Sequence, residues 1–197
     1  YTLFTTVGGA GQILGMMVIY PLLRNKLSNT AIFKTSLIMA ITGYMCLLLS
    51  CITNLAHVLP LLCAIGLLVF VSNGMLSVLT TVFLSSSVDY GEMKTGRREE
   101  SVIFSMQTFV VKAASGLAVF MTGIGLDWIH LNGNSEDGIP VAQSASTITG
   151  LRCLMTILPS IGLLVALVVF QKKFQLTDTK AEEIAKALSE IKQCSGK

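Results

Sequence analysis

The feature that most constrains this chain is the stretch from Thr35 to Ser87, which contains no Asp, Glu, Lys or Arg. A soluble core has no need of so long an uninterrupted run. Roughly 20 apolar residues cross the hydrocarbon of a bilayer, so the stretch is too long for one crossing and reads as two. Asn54, His57 and Pro60 divide it into spans at 35–53 and 60–86 around a short turn. The same criterion places further spans at 3–23, 101–126 and 150–170. An all-α polytopic membrane protein with five transmembrane helices is therefore expected. Composition agrees, with 52% hydrophobic and 13% charged residues against about 25% charged in soluble domains.

The remaining charge sorts by loop. Arg24, Lys26 and Lys34 follow the first span, Lys94, Arg97 and Arg98 the third, and Lys172, Lys173, Lys180, Lys186, Lys192 and Lys197 the fifth. The loops at 54–59 and 128–149 hold no Lys or Arg. The positive-inside rule makes the basic side cytoplasmic, which gives a multi-pass protein of the cell membrane with a cytoplasmic C-terminus. The formal charge of +3 is thus a topology signal, and no nucleic-acid partner is expected. An odd number of spans puts Tyr1 on the opposite side with neither an initiator Met nor a basic leader before it, so the chain reads as part of a longer protein. Cys46, Cys51, Cys63 and Cys153 fall in or beside apolar spans and Cys194 in the tail, a pattern of reduced thiols.

Within the spans, polarity is sparse and patterned. Gly11-x-x-x-Gly15 in the first span allows close helix approach, and Pro21 is expected to end that helix. In the third span Asn73, Ser77, Thr80 and Thr81 recur at helical spacing, either as packing contacts or as the lining of a cavity. The fourth span carries Lys112 about eleven residues in, near the bilayer midplane. A lysine there costs about 2.5 to 3.5 kcal/mol and normally faces water or a carboxylate. Ser101, Ser105, Thr108, Ser115, Gly116 and Gly123 share its face. All the acidic residues lie in loops, in the tail or at span ends, Asp89 and Asp127 being nearest, so a partner carboxylate is expected upstream. A structural amine neutralised by burial is the plainer alternative.

Two polar segments complete the pattern. The segment 88–101 packs Asp89, Glu92, Glu99 and Glu100 beside Lys94, Arg97 and Arg98, either as a solvated hairpin or as an ion-pair latch of the kind alternating access requires. Residues 174–197 form a separate tail: Thr179-x-x-Glu182 reads as a capping box, followed by Ile184, Leu188 and Ile191 on one face of a surface helix. The segment 132–149 reads as a plain polar loop.

The run Val88-Asp89-Tyr90-Gly91-Glu92, continuing through Lys94, Arg98, Glu100 and Ser101 to Ser105-x-Gln107-Thr108-x-Val110-Val111-Lys112, resembles the glycoside-pentoside-hexuronide:cation symporters, the melibiose-permease-like branch of the major facilitator superfamily. The resemblance covers essentially the whole chain. It implies that residues 1–173 are helices 8–12 of a twelve-helix, two-bundle fold, a partial C-terminal bundle followed by the cytoplasmic helix. It further implies a sugar substrate moved by alternating access with Na+, Li+ or H+, no other cofactor, and a missing N-terminal transmembrane half as partner. Position by position, it implies that Lys112, Gln107 and Thr108 lie at the substrate and cation sites. Asp89, Glu92, Arg98 and Glu100 match a cytoplasmic gate network, and Asn73, Ser77, Thr80, Thr81 and Ser115 remain cavity-lining candidates. Ser86 and Ser77 depart from the pattern, which has an aspartate and a tryptophan there.

Other classes fit less well. His57 and His130 sit at span ends without metal-ligand spacing or a nucleophile partner, and no glycine-rich loop cradles a phosphate, so neither an enzyme nor an ATP-driven pump is expected. A non-transporting scaffold or sugar sensor built on the same half-bundle is the alternative to symport.

Overall fold

The computed structural model describes residues 2–53, 58–129, 144–174 and 178–195. The turn read at Asn54 and His57, and the loop from Asn132 as far as residue 143, lie outside the described residues. Helix α1 runs Thr2–Arg24, α2 Asn29–Ile52, α3 Leu59–Thr95, α4 Glu100–Trp128, α5 Ala145–Lys173 and α6 Asp178–Ser195. The first five are each long and apolar enough to cross a membrane, and no strand occurs among the described residues. Their outward faces are lined with exposed large apolar side chains such as Met17, Phe109 and Val119, as expected where the solvent is hydrocarbon.

Helix ends follow local chemistry. The Ser28 hydroxyl accepts the Ala31 N–H at 3.2 Å to start α2, and Ser144 accepts the Thr147 N–H at 3.1 Å to start α5. The polar segment before the last span is accordingly helical from Ala145 onward, where the sequence reads as loop to residue 149. Gly96 ends α3 in the left-handed conformation (φ 71°), its N–H on the Glu92 carbonyl at 2.8 Å.

Pro21 does not stop α1. The helix changes to π geometry over Gly15–Ile19, with the Tyr20 N–H reaching back to the Gly15 carbonyl, and resumes as α-helix from Tyr20 to Arg24. The widened turn shifts the carbonyls that the proline ring would otherwise strike, so the ladder continues past it.

Helix α3 is the centre of the bundle, packed on α1 along one side and on α2 along another, while α2 also packs on α5. The α1–α3 seam is made by glycines that let the backbones meet. A Cβ on Gly15 would lie 2.6 Å from the Val71 carbonyl oxygen, and one on Gly74 would run into the Gln12 carbonyl. Ile32, Met75 and Leu79 form the buried core, flanked by Ile19, Tyr20, Leu23 and Val71. At the basic end Phe33, Phe83, Phe170 and Phe174 clamp α2, α3 and the end of α5 together, with ring centroids 4.4 Å apart for Phe33–Phe170 and Phe170–Phe174.

Candidate functional site

Arg98 organises the turn between α3 and α4. Its Nη1 donates to Asp89 Oδ1 at 3.1 Å and to Glu92 Oε2 at 2.9 Å, and its Nε donates to Glu100 Oε2 at 3.2 Å. Asp89 and Glu92 stand three residues apart on one face of α3, Glu100 opens α4, and the Gly96 turn folds Arg98 back between them. The four residues matched to a gate network are thus brought together by one planar guanidinium, the side chain whose fixed fork suits several carboxylates at once. The hydrogen bonds to Glu92 and then Glu100 hold the Arg98 guanidinium above its ordinary value, against an opposing desolvation and with a lesser contribution from Asp89. The Glu92 side chain is 12% exposed and that of Arg98 43%, so the cluster has a dry inner side and a wet outer one.

Lys112 lies elsewhere. Twelve residues beyond Glu100, it is about 18 Å further along the same helix axis. None of the residues of α4 is buried, and the helix meets its neighbours mainly near its ends: at the Arg98 turn, and where Leu154 and Ile129 close on Gly125 and Gly150. Lys112, Thr108 and Ser115 are all exposed and Gln107 is half-buried. Thr108 and Ser115 hydroxyls are tied to their own helix, donating to the Phe104 and Val111 carbonyls at 2.9 and 2.8 Å. On α3, Ser77, Thr80 and Thr81 are exposed and Asn73 half-buried, with Thr80 donating to the Leu76 carbonyl at 2.8 Å. The buried polar side chain of that helix is Ser72, one residue off the stripe read from spacing.

A second polar constellation sits beside the Arg98 cluster. Asp178, the first residue of α6, accepts the backbone N–H groups of Asn29 at 3.1 Å and Thr30 at 3.0 Å, and the Thr30 hydroxyl at 2.9 Å. The capping box read at Thr179 is therefore not the start of α6. The helix begins at Asp178, whose carboxylate caps α2 instead. Burial pushes this carboxyl upward, but the Thr30 and Asn29 donors and nearby Arg24 outweigh it and leave it below its usual range. Arg24 also meets Glu182 at 3.6 Å. Ile184 and Leu188 turn the apolar side of α6 inward, buried to 7% and 8% exposure. Asp178, Glu182 and Arg24 share a cavity of about 170 Å³ with Ser86 and Asp89, which puts the Asp178 cap and the Arg98 cluster on two sides of one space.

Comparison with known proteins decides the class. A family model described as MFS/sugar transport protein matches residues 1–178. The chain belongs to that family. The match covers α1 to α5 and ends on Asp178. Among relatives in the family's range, the inner membrane symporter YicJ of Escherichia coli is 26% identical over 98% of this chain and 40% of its own length. The symporter YjmB of Bacillus subtilis is 32% identical over 56% of this chain and 23% of its own. A lactose permease of Lactobacillus delbrueckii is 30% identical over 60% of this chain and 18% of its own. The chain spans less than half the length of each of these relatives.

For this member of the MFS/sugar transport family, reading the sequence missed Asp178, Arg24 and Glu182 as a working group. A cap supplied by another helix leaves no local spacing signal, and the nearby Thr179-x-x-Glu182 pattern pointed to a local cap. Among the described residues no His, Cys, Asp and Glu cluster suited to a metal occurs.

Proposed function

We propose that this chain is the C-terminal part of a secondary active transporter that carries a glycoside, pentoside or hexuronide together with Na+, Li+ or H+ by alternating access. The observation that carries the reading is α4: a helix with a lysine at mid-membrane depth and a small, polar face that the other described helices leave open. That lysine is costly in hydrocarbon, so its face is assigned to the water-filled pathway between this bundle and an N-terminal one. The basic end is assigned to the cytoplasm by the positive-inside rule.

In this reading Lys112, Gln107 and Thr108 line the binding region, with Ser115 on α4 and Asn73, Ser77, Thr80 and Thr81 on α3 along its wall. The lysine ammonium competes by like charge with a cation held on carboxylates of the other bundle, so cation binding and the position of α4 are linked. Asp89, Glu92, Arg98 and Glu100 act at the cytoplasmic gate, Arg98 exchanging some of its carboxylates for partners on the facing bundle as the pathway opens. That YicJ and YjmB are symporters and the Lactobacillus relative a lactose permease supports this class.

The test is uptake by the full-length protein in proteoliposomes under an imposed cation gradient. Lys112→Ala is expected to abolish concentrative accumulation. Undiminished accumulation in that variant would refute the assignment, and sugar binding with no flux in the unmodified protein would point to the sensor reading.

A further inference from the structure

An apolar groove of about 390 Å³ runs along the outside of the bundle at its basic end, lined by Phe33, Ala166, Val169, Phe170, Lys173 and Phe174. From Lys173 at the end of α5 to Ala166 is seven residues, about 10 Å of helix, so the groove begins at headgroup depth and descends into the hydrocarbon. Its floor is stiff, because the Phe33 and Phe170 rings meet at 4.4 Å, tilted by 39°, and Phe170 stacks on Phe174 at 4.4 Å. Val169 remains 53% exposed, so the groove opens outward, toward lipid. Among the described residues Lys173 is the one charged side chain in the lining and no carboxylate lines the groove, while Lys172 beside it is exposed.

We propose that this groove binds one anionic phospholipid of the leaflet at the basic end, with an acyl chain laid along Ala166, Val169 and Phe170 and the phosphate at Lys173. The hydrocarbon tail is common to all lipids and carries no discrimination. Selectivity comes from the ammonium at the mouth, since basic pockets beside membrane helices favour anionic headgroups. An exposed lysine at a helix end also reaches the interface without leaving the apolar surface its own stem covers.

The experiment is native mass spectrometry of the full-length protein in detergent, titrated with phosphatidylglycerol or with phosphatidylcholine of the same chains. One retained phosphatidylglycerol is expected, with Lys173→Ala weakening it about fivefold, the effect of one basic residue at an anionic surface, and leaving phosphatidylcholine unaffected. Ala166→Trp, which fills the place of the acyl chain while keeping Lys173, should lose the bound lipid. Lys94→Ala removes a charge at the same end of the bundle but outside the groove and should retain it. The proposal is overturned if Lys94→Ala weakens retention as much as Lys173→Ala, which would mean diffuse attraction. It is equally overturned if a folded Ala166→Trp protein keeps the lipid, or if no lipid is retained because another protein segment covers the groove. Lys173→Ala alters only an exposed side chain, so the charge arm decides even if the tryptophan variant does not fold.

Discussion

Asp178 commits both carboxylate oxygens to the first turn of α2, where backbone N–H groups have no partners within their own helix. Asp178→Asn removes one acceptor and the charge that suits a helix N-terminus, with an expected cost at the low end of the about 0.5 to 2 kcal/mol typical of a cap, because the site is partly in water. Hydrogen exchange at the Asn29 and Thr30 amides should accelerate accordingly. The carboxyl's pKa in the folded protein lies below its usual value. Its contribution is therefore complete above the ordinary carboxylate range near pH ~4 and fades as pH falls through the lowered value. Exchange in the unmodified protein should converge on that of Asp178→Asn in acid and diverge from it at neutral pH. For Arg98 the expected split is different. Arg98→Gln leaves Asp89, Glu92 and Glu100 facing one another without their shared cation, so initial uptake rate should fall much further than thermal stability. The grouping around Arg98 came from the family resemblance, the residues alone leaving a solvated hairpin equally open, and its partners lie only 2, 6 and 9 residues away along the chain. The Asp178 cap was not legible in the sequence, because its partners are 149 and 148 residues away.

At the scale of the helix, the seam between α1 and α3 rests on the absence of side chains. Gly74→Ala places a methyl against the Gln12 backbone carbonyl and Gly15→Ala one against that of Val71; backbone has little room to yield, so each should cost about 1 to 3 kcal/mol and lower the thermal midpoint in detergent. Gly9→Ala, where nothing lies within 4 Å, should leave it unchanged or raise it slightly through better helix propensity. The five apolar helices could be read from the sequence because length and charge exclusion are strong signals. The π turn at Gly15–Ile19 could not, since it breaks no apolar run and alters only which carbonyl each N–H meets. Pro21 was accordingly read as a stop where the helix continues. Helices α3 and α5 also extend beyond the apolar runs, to Thr95 and back to Ala145, because capping and hydrogen bonding set helix ends whereas hydropathy reports only the part inside the lipid.

For the molecule as a whole, α4 is the helix that packs least on its neighbours. Its Lys112 face was legible from period and charge, but its scant packing on the other helices is a fact of three dimensions, as none of its residues is buried. If that face lines the pathway, a cysteine at Ser115 in a full-length, cysteine-free background should react with a water-soluble maleimide, and sugar or cation should change the rate. A cysteine at Leu117, well away from that face, should react slowly and indifferently to both. The Asp178 cap carries a consequence for the order in which the chain is made. Helix α2 enters the membrane with its first amides open, and the residue that closes them leaves the ribosome only after three further spans, α3 to α5, have been produced. The start of α2 is thus completed three spans after it is made, and a chain that stops short of Asp178 carries its defect far upstream of the break, at Asn29 and Thr30.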